Sequence, residues 1–178
     1  KTLNNVSVGE NVKIFSFVNA YNCSIDDNSK IGTFVEIQKG ATIGKSCKIS
    51  SHSFICEGVH ISDQVFIGHG VMTINDKNPP SGDPSKWQPT LIKKGATIGA
   101  NATVVCGNTI GEYAFVGAGA VITKNVPPYA LVTGNPAIQT GWMSEFGHRL
   151  EFDKDGKATC QESGQVYQLE NNLVKRIS

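Results

Sequence analysis

An aliphatic residue returns at every sixth position through most of this chain, and that period limits the fold more tightly than any other feature. The run Ile25, Ile31, Ile37, Ile43, Ile49, Ile55, Ile61 and Ile67 has no gap. Counting by six from Val8 adds Ile14, then one five-residue step intervenes near Tyr21 to Cys23. The frame is lost between Thr73 and Leu91 and resumes at Ile92, Ile98, Val104, Ile110, Val116 and Ile122. A period of six matches neither the 3.6 of a helix nor the simple alternation of a lone strand. It fits short strands that each insert one β-branched side chain inward and then turn a corner, where glycine or a short polar residue tolerates the backbone angles.

Three such strands close one triangular coil, and stacked coils align their inward residues into an apolar column. The expected fold is all-β: a left-handed parallel β-helix of hexapeptide repeats over residues 1–137, with one long insertion loop at 73–91. The left hand is taken from the class, against the usual right-handed crossover preference. Val126-Pro127-Pro128 ends the frame, because neither proline can donate to another coil. Residues 138–178 then form a small tail. A short helix is expected from Ile138 to Leu150, with Trp142 and Met143 as its apolar contacts, followed by small antiparallel strands through Lys157–Thr159 and Gln165–Leu169.

Sixteen basic residues nearly cancel fifteen acidic ones, so overall charge points to neither nucleic acid nor a membrane surface as partner. No window is apolar enough for a membrane span. The five cysteines, Cys23, Cys47, Cys56, Cys106 and Cys160, are odd in number and scattered, which fits a reducing cytoplasm. No CxxC pair exists and only Cys160 has candidate ligands nearby in sequence, so no metal is expected.

Residues one coil apart share a column, which places Lys39, Glu57 and Asn75 on one line, Ser51 under His69, and His52 under Gly70. That line ends where the insertion begins. A long insertion in so economical a repeat is more often functional than incidental, and Pro79, Pro80, Gly82 and Pro84 are expected to keep it extended. His52, His69, Glu57 and Asn75 are therefore candidate site residues around its mouth, whereas His60 and His148 are expected to be structural.

The hexads, the run from Gly95 to Gly107, the Gly117-Ala118-Gly119-Ala120-Val121 segment and Gly134-Asn135-Pro136-Ala137 together resemble the hexapeptide-repeat acyltransferases. The likeness is greatest to enzymes that N-acetylate the 3-amino group of nucleotide-linked sugars for bacterial surface polysaccharides. Val18 to Cys23, Ile49 to His52, Ile55 to Val59 and Gly68 to Met72 look like the dTDP-3-amino-3,6-dideoxyhexose branch. Gly141 to Gly147 and Cys160 to Gly164 look like the UDP-2-acetamido-3-amino-2,3-dideoxyglucuronate branch. Some relatives of that second branch carry a cysteine-rich tail, and Ser144, Phe146 and Ser163 stand where those cysteines are expected. An arginine tends to follow the loop proline there, whereas here Pro79 is followed by Pro80 and Ser81.

The resemblance implies acetyl-CoA as co-substrate and a homotrimer with active sites between subunits. It implies Asn75 at the reacting amine; Glu57 or His52 is then the candidate proton acceptor, directly or through water, and Lys39, His69, Asp76 and Trp87 are candidate substrate contacts. It also implies Gly99, Ala100, Gly117 and Ala118 along the pantetheine arm, with Lys124 near the phosphates. The alternatives are O-acetyl transfer to a hydroxyl, which needs a histidine base, or a trimeric β-helix that is a scaffold or a carbonic-anhydrase-like zinc protein.

Overall fold

The computed structural model describes residues 1–79 and 83–178. Pro80, Ser81 and Gly82, invoked above for the extended loop and the missing arginine, lie outside the described residues. Two- and three-residue strands stack in parallel into three faces of a solenoid of about seven turns. Face A holds seven strands, from Thr2–Asn4 through Asn19–Tyr21, Phe54–Ile55 and Met72–Thr73 to Val121–Ile122. Face B holds six, including Val59–Ile61 and Thr90–Ile92. Face C includes Lys13–Ile14, Lys30–Ile31, Lys48–Ile49, Phe66–Ile67, Thr97–Ile98 and Phe115–Val116. The chain visits A, B and C in turn, so three corners, A/B, B/C and C/A, run the length of the molecule.

The hexad isoleucines form the column the period demands. Ile31, Ile37, Ile55, Ile67, Ile92, Ile98 and Ile110 are fully buried. At about 25 cal/mol per Å² of apolar surface, each contributes roughly 2–3 kcal/mol. Pairing follows the count: Ile14↔Ile31↔Ile49↔Ile67 on face C. The short step near Tyr21 appears as Val8↔Ile25 on face B, one residue less than a full coil. The insertion appears as Ile61↔Ile92.

Two residue classes make the corners. The residue directly after an inward aliphatic lies under the next coil: a Cβ on Gly68 would fall 2.6 Å from the Ala100 nitrogen, and one on Gly99 2.5 Å from that of Ala118. At Gly68 and Gly99 close stacking, not a special backbone angle, requires glycine. The left-handed angle falls two residues later. It is adopted by Gly40 (φ 74°) but also by Phe17 (59°), Phe34 (56°), His52 (63°) and Tyr113 (55°). Side chains there cost about 1–2 kcal/mol each, offset by stacking between coils. The Phe17 and Phe34 ring centroids are 4.8 Å apart, and Phe34 and His52 4.9 Å.

In the tail, the helix expected from Ile138 to Leu150 is a strand instead. Ile138–Trp142 pairs antiparallel with Ala130–Thr133, with a register shift at Leu131/Val132, and extends face C past residue 137. Backbone groups of Ala130–Thr133 would otherwise lack a partner on that side, which favours a strand. Met143 to Arg149 form a turn in which the Ser144 Oγ accepts from the His148 amide at 3.1 Å. The antiparallel strands are as expected, with Lys157–Thr159 and Val166–Glu170 joined by a third, Leu173–Arg176. Glu145 ties the tail to the solenoid. It accepts from the Tyr129 hydroxyl at 3.0 Å and from Arg176 at 2.8 Å, while its amide donates to the Tyr167 hydroxyl at 2.9 Å.

Candidate functional site

The insertion leaves face A after Met72–Thr73 and re-enters face B at Thr90–Ile92. Its first stem is fixed by Thr73, fully buried, whose Oγ1 donates to the Phe54 carbonyl at 3.0 Å and accepts from the Cys56 amide at 2.9 Å. The stems are joined where the Gln88 amide donates to the Asn75 carbonyl at 3.2 Å. Half-buried Asn75 thus sits at the loop's mouth, above Glu57 and Lys39 at corner A/B, as the coil count requires. Glu57 is also half-buried, and its amide donates to the Gln38 side-chain oxygen at 3.3 Å. Burial, then the negative charges of Glu36 and Glu57, push the Tyr21 phenol above its ordinary value. Within the loop, Asp76 accepts from the Asn78 amide at 2.9 Å. Asp83 caps the 3₁₀ turn Pro84–Lys86 by accepting from the Ser85 amide, and half-buried Trp87 follows that turn.

His52 and His69 lie elsewhere. Both are exposed at corner C/A, one strand, Phe54–Ile55, away from corner A/B. The expectation that the histidines stand beside Glu57 and Asn75 is therefore not met within one chain. Extended strand residues advance about 3.3 Å each, so crossing face A separates the two groups by well over a hydrogen-bond length. His52 caps the ladder of stacked rings on Phe34. His69 instead lines a cavity of about 310 Å³ with Phe15, Lys30, Lys48, Ser50 and Ser51, none of which except Ser51 was singled out from the sequence. The signal was present: a lysine directly precedes Ile14, Ile31 and Ile49.

The expected cofactor residues divide the same way. Gly99, Ala100, Gly117 and Ala118 stack at corner C/A, above His69, where close coil contact already requires both glycines. Lys124 lies one strand on, at corner A/B, in a separate cavity of about 350 Å³ with Val126, Val132, Ala137 and Gln139. His60 lies on face B with its Nδ1 3.0 Å from the Thr42 hydroxyl, and His148 stacks on Phe146. Among the described residues, no three His, Cys, Asp or Glu side chains converge as a metal site would require. No helix among them is long and apolar enough to cross a membrane.

No family model matches the chain. It is 45% identical over 94 residues to a dTDP-3-amino-3,6-dideoxy-α-D-galactopyranose 3-N-acetyltransferase of Aneurinibacillus thermoaerophilus, covering 53% of this chain and 48% of that protein. It is 42% identical over 118 residues to the bifunctional protein GlmU of Thermotoga petrophila, covering 65% of this chain and 25% of that protein. The chain thus spans half or less of the length of these relatives. Among solved structures, a variant of AntD, an N-acyltransferase from Bacillus cereus, bound to dTDP and coenzyme A, superposes with a TM-score of 0.69. Identity there is 23%, over 78% of this chain and 84% of that one. A hexapeptide transferase family protein from Anaplasma phagocytophilum gives 0.68, at 19% identity over 81% and 84%. The solved structures establish the hexapeptide-repeat β-helix fold, and in sequence the chain is similar, over about half its length, to an N-acetyltransferase of a dTDP-linked amino sugar.

Proposed function

We propose that the chain is an acetyl-CoA-dependent N-acetyltransferase acting on the 3-amino group of a UDP- or dTDP-linked amino sugar. In this reading it works in the cytoplasm as a homotrimer with its sites between copies. The observation that carries the reaction class is the 45% identity, across 94 residues of this chain, to a 3-N-acetyltransferase of a dTDP-linked amino sugar. What supports the shared site is the split seen in one chain. Both the acceptor-side and cofactor-side groups divide between corners C/A and A/B, and packing one copy's corner against the other corner of its neighbour reunites them. Phe17 and Phe34 at corner C/A, 67% and 51% exposed, provide an apolar edge for such packing.

The reaction is aminolysis of a thioester: the neutral amine attacks the acetyl carbonyl, and CoA thiolate leaves. An amine flanked by oxygen-bearing carbons has a pKa near that of an α-amino group, roughly 8, so about a tenth is neutral at pH 7 and a strong base is not required. Positioning supplies much of the acceleration, up to roughly 7–11 kcal/mol. Asn75 orients the amine through its side-chain carbonyl, a corner backbone N–H holds the oxyanion, and Glu57 or His52 of a neighbouring copy receives the proton. Lys39, His69, Asp76 and Trp87 contact the acceptor. The pantetheine arm runs along Gly99, Ala100, Gly117 and Ala118, with Lys124 at the phosphates. The test presents acetyl-CoA with dTDP- and UDP-linked 3-amino sugars and follows thiol release. Release with neither amine, or release only with a hydroxyl acceptor, overturns the reading.

A further inference from the structure

The lysines that precede three inward isoleucines end up in one line. Lys13 pairs with Lys30, and Lys30 with Lys48, in register on face C, all three exposed. Neighbouring parallel strands lie about 4.8 Å apart, so three like charges stand one strand spacing from each other, an unfavourable arrangement without a counter-charge. Among the described residues the ion pairs are Lys45–Asp27, Lys86–Asp83, Arg149–Glu151 and Arg176–Glu145, and none serves this line. The Lys48 ammonium lies 5.2 Å from the Phe66 ring centroid, which holds it in place without a counter-anion.

Two further observations place a ligand here. Lys30 and Lys48 line, together with His69, the cavity of about 310 Å³, large enough for a small molecule, and Lys13 continues their line one strand beyond it. Ser50, 4% exposed, belongs to the same wall, and its buried Oγ has no hydrogen-bond partner within the protein. At the rim, Phe15 is 55% exposed and offers a flat apolar face beside the charges. A line of cations beside one aromatic face, with an imidazole at the far end, matches a nucleoside diphosphate carrying a group to be modified.

We infer that Lys13, Lys30 and Lys48 bind the diphosphate of the acceptor nucleotide, with its base against Phe15 and its sugar directed toward His69. This rests on the proposed function and gives its acceptor a direction along the molecule. CoA also carries a diphosphate, and the shared chemistry is separated by position. The lysine line occupies the early coils, whereas Lys124 and the corner glycines lie in the later ones.

The test is calorimetric titration of dTDP, UDP and 3′,5′-ADP into the wild-type protein and into Lys30→Gln and Lys48→Gln. Each variant is expected to weaken the preferred nucleoside diphosphate about tenfold, the usual effect of one charged hydrogen bond. Binding of 3′,5′-ADP should stay unchanged. Without ligand Lys30→Gln should melt at the wild-type temperature or above it, since the change relieves repulsion, whereas Lys48→Gln also gives up the contact with Phe66 and is read by nucleotide affinity alone. At Lys30 a purely structural role would lower that temperature instead. Nucleotide affinity held within twofold, loss of 3′,5′-ADP binding instead, or no binding of dTDP and UDP by the wild type would each overturn the assignment. Lysine-dependent nucleotide binding without thiol release would leave this site standing and overturn only the proposed reaction.

Discussion

Glycine serves two purposes in this solenoid, and a pair of substitutions separates them. A methyl group on Gly68 would lie 2.6 Å from the Ala100 nitrogen and 2.9 Å from both the Ala100 Cα and the Gly99 carbonyl carbon. All three are backbone atoms that cannot rotate away. Restoring an ordinary 3.4 Å contact requires an opening of about 0.8 Å between these coils. The bonds that hold them, from the Gly68 amide to the Ile98 carbonyl and from the Asn101 amide to the His69 carbonyl, are both 2.8 Å. Stretched by that amount they reach about 3.6 Å, beyond a real hydrogen bond. Each buried group left unmet costs about 1–3 kcal/mol, so Gly68→Ala should lose roughly 3 kcal/mol or more. Gly40 is left-handed at φ 74°, and a methyl group there would meet nothing within 4 Å. Gly40→Ala should cost only backbone strain, about 1–2 kcal/mol, partly offset by a stiffer unfolded chain. Urea unfolding at one fixed protein concentration reads the difference. With a slope of about 1–3 kcal/mol per molar, the midpoint of Gly68→Ala should fall by about 1 M or more. A Gly68→Ala midpoint within about 0.5 M of wild type, or greater damage from Gly40→Ala, would refute the role given to coil contact.

Three other outcomes are expected. Asn75→Ala should lower kcat/KM for the amino sugar by at least tenfold, and an effect under twofold would remove Asn75 from its assigned role; His52→Asn with full activity and an unchanged pH profile would leave Glu57 as the proton acceptor. Glu145→Ala leaves the Tyr129 hydroxyl without its acceptor and should cost about 1.5–3 kcal/mol, seen as faster amide exchange in the strands at 157–176 ahead of the solenoid; uniform loss of protection would refute the local role. Burial, followed by the hydrogen bond to Glu145, raises the Tyr129 phenol above its ordinary 10. The neutral form is therefore favoured on folding, and the associated stability is complete below pH 10 and lost as pH climbs above it; phenolate absorbance rising for Tyr129 below pH 10, tested against Tyr129→Phe, would contradict this.

The column was legible because burial selects it directly: each inward position must be apolar, so Ile25 to Ile67 announce themselves by spacing alone. The corners were only half legible. Glycine after the aliphatic residue was visible, but its cause is the neighbouring coil's backbone, which no local pattern encodes. The left-handed positions hold phenylalanine, histidine and tyrosine as well as glycine, so composition hides them, although counting three on from Ile14, Ile31 and Ile49 finds Phe17, Phe34 and His52. The tail misled because Trp142 and Met143 mark an apolar contact without a period. Only the unpaired edge of Ala130–Thr133 makes Ile138–Trp142 a strand. In the site, counting coils placed Lys39, Glu57 and Asn75 together. It could not reveal that five residues along one chain, from His52 to Glu57, carry the backbone from one corner to the next.

The way the insertion is anchored frees its length. Thr73 is locked into one strand, Thr90 begins the next, and the Gln88–Asn75 bond closes the neck, so the coils on either side keep their alignment whatever lies between. Doubling a flexible loop adds only about 0.6 kcal/mol of closure entropy. Residues between Asp76 and Trp87 can be lengthened, shortened or exchanged while the column of coils stays fixed. The molecule thus separates a fixed ruler from an exchangeable segment whose length the ruler does not set.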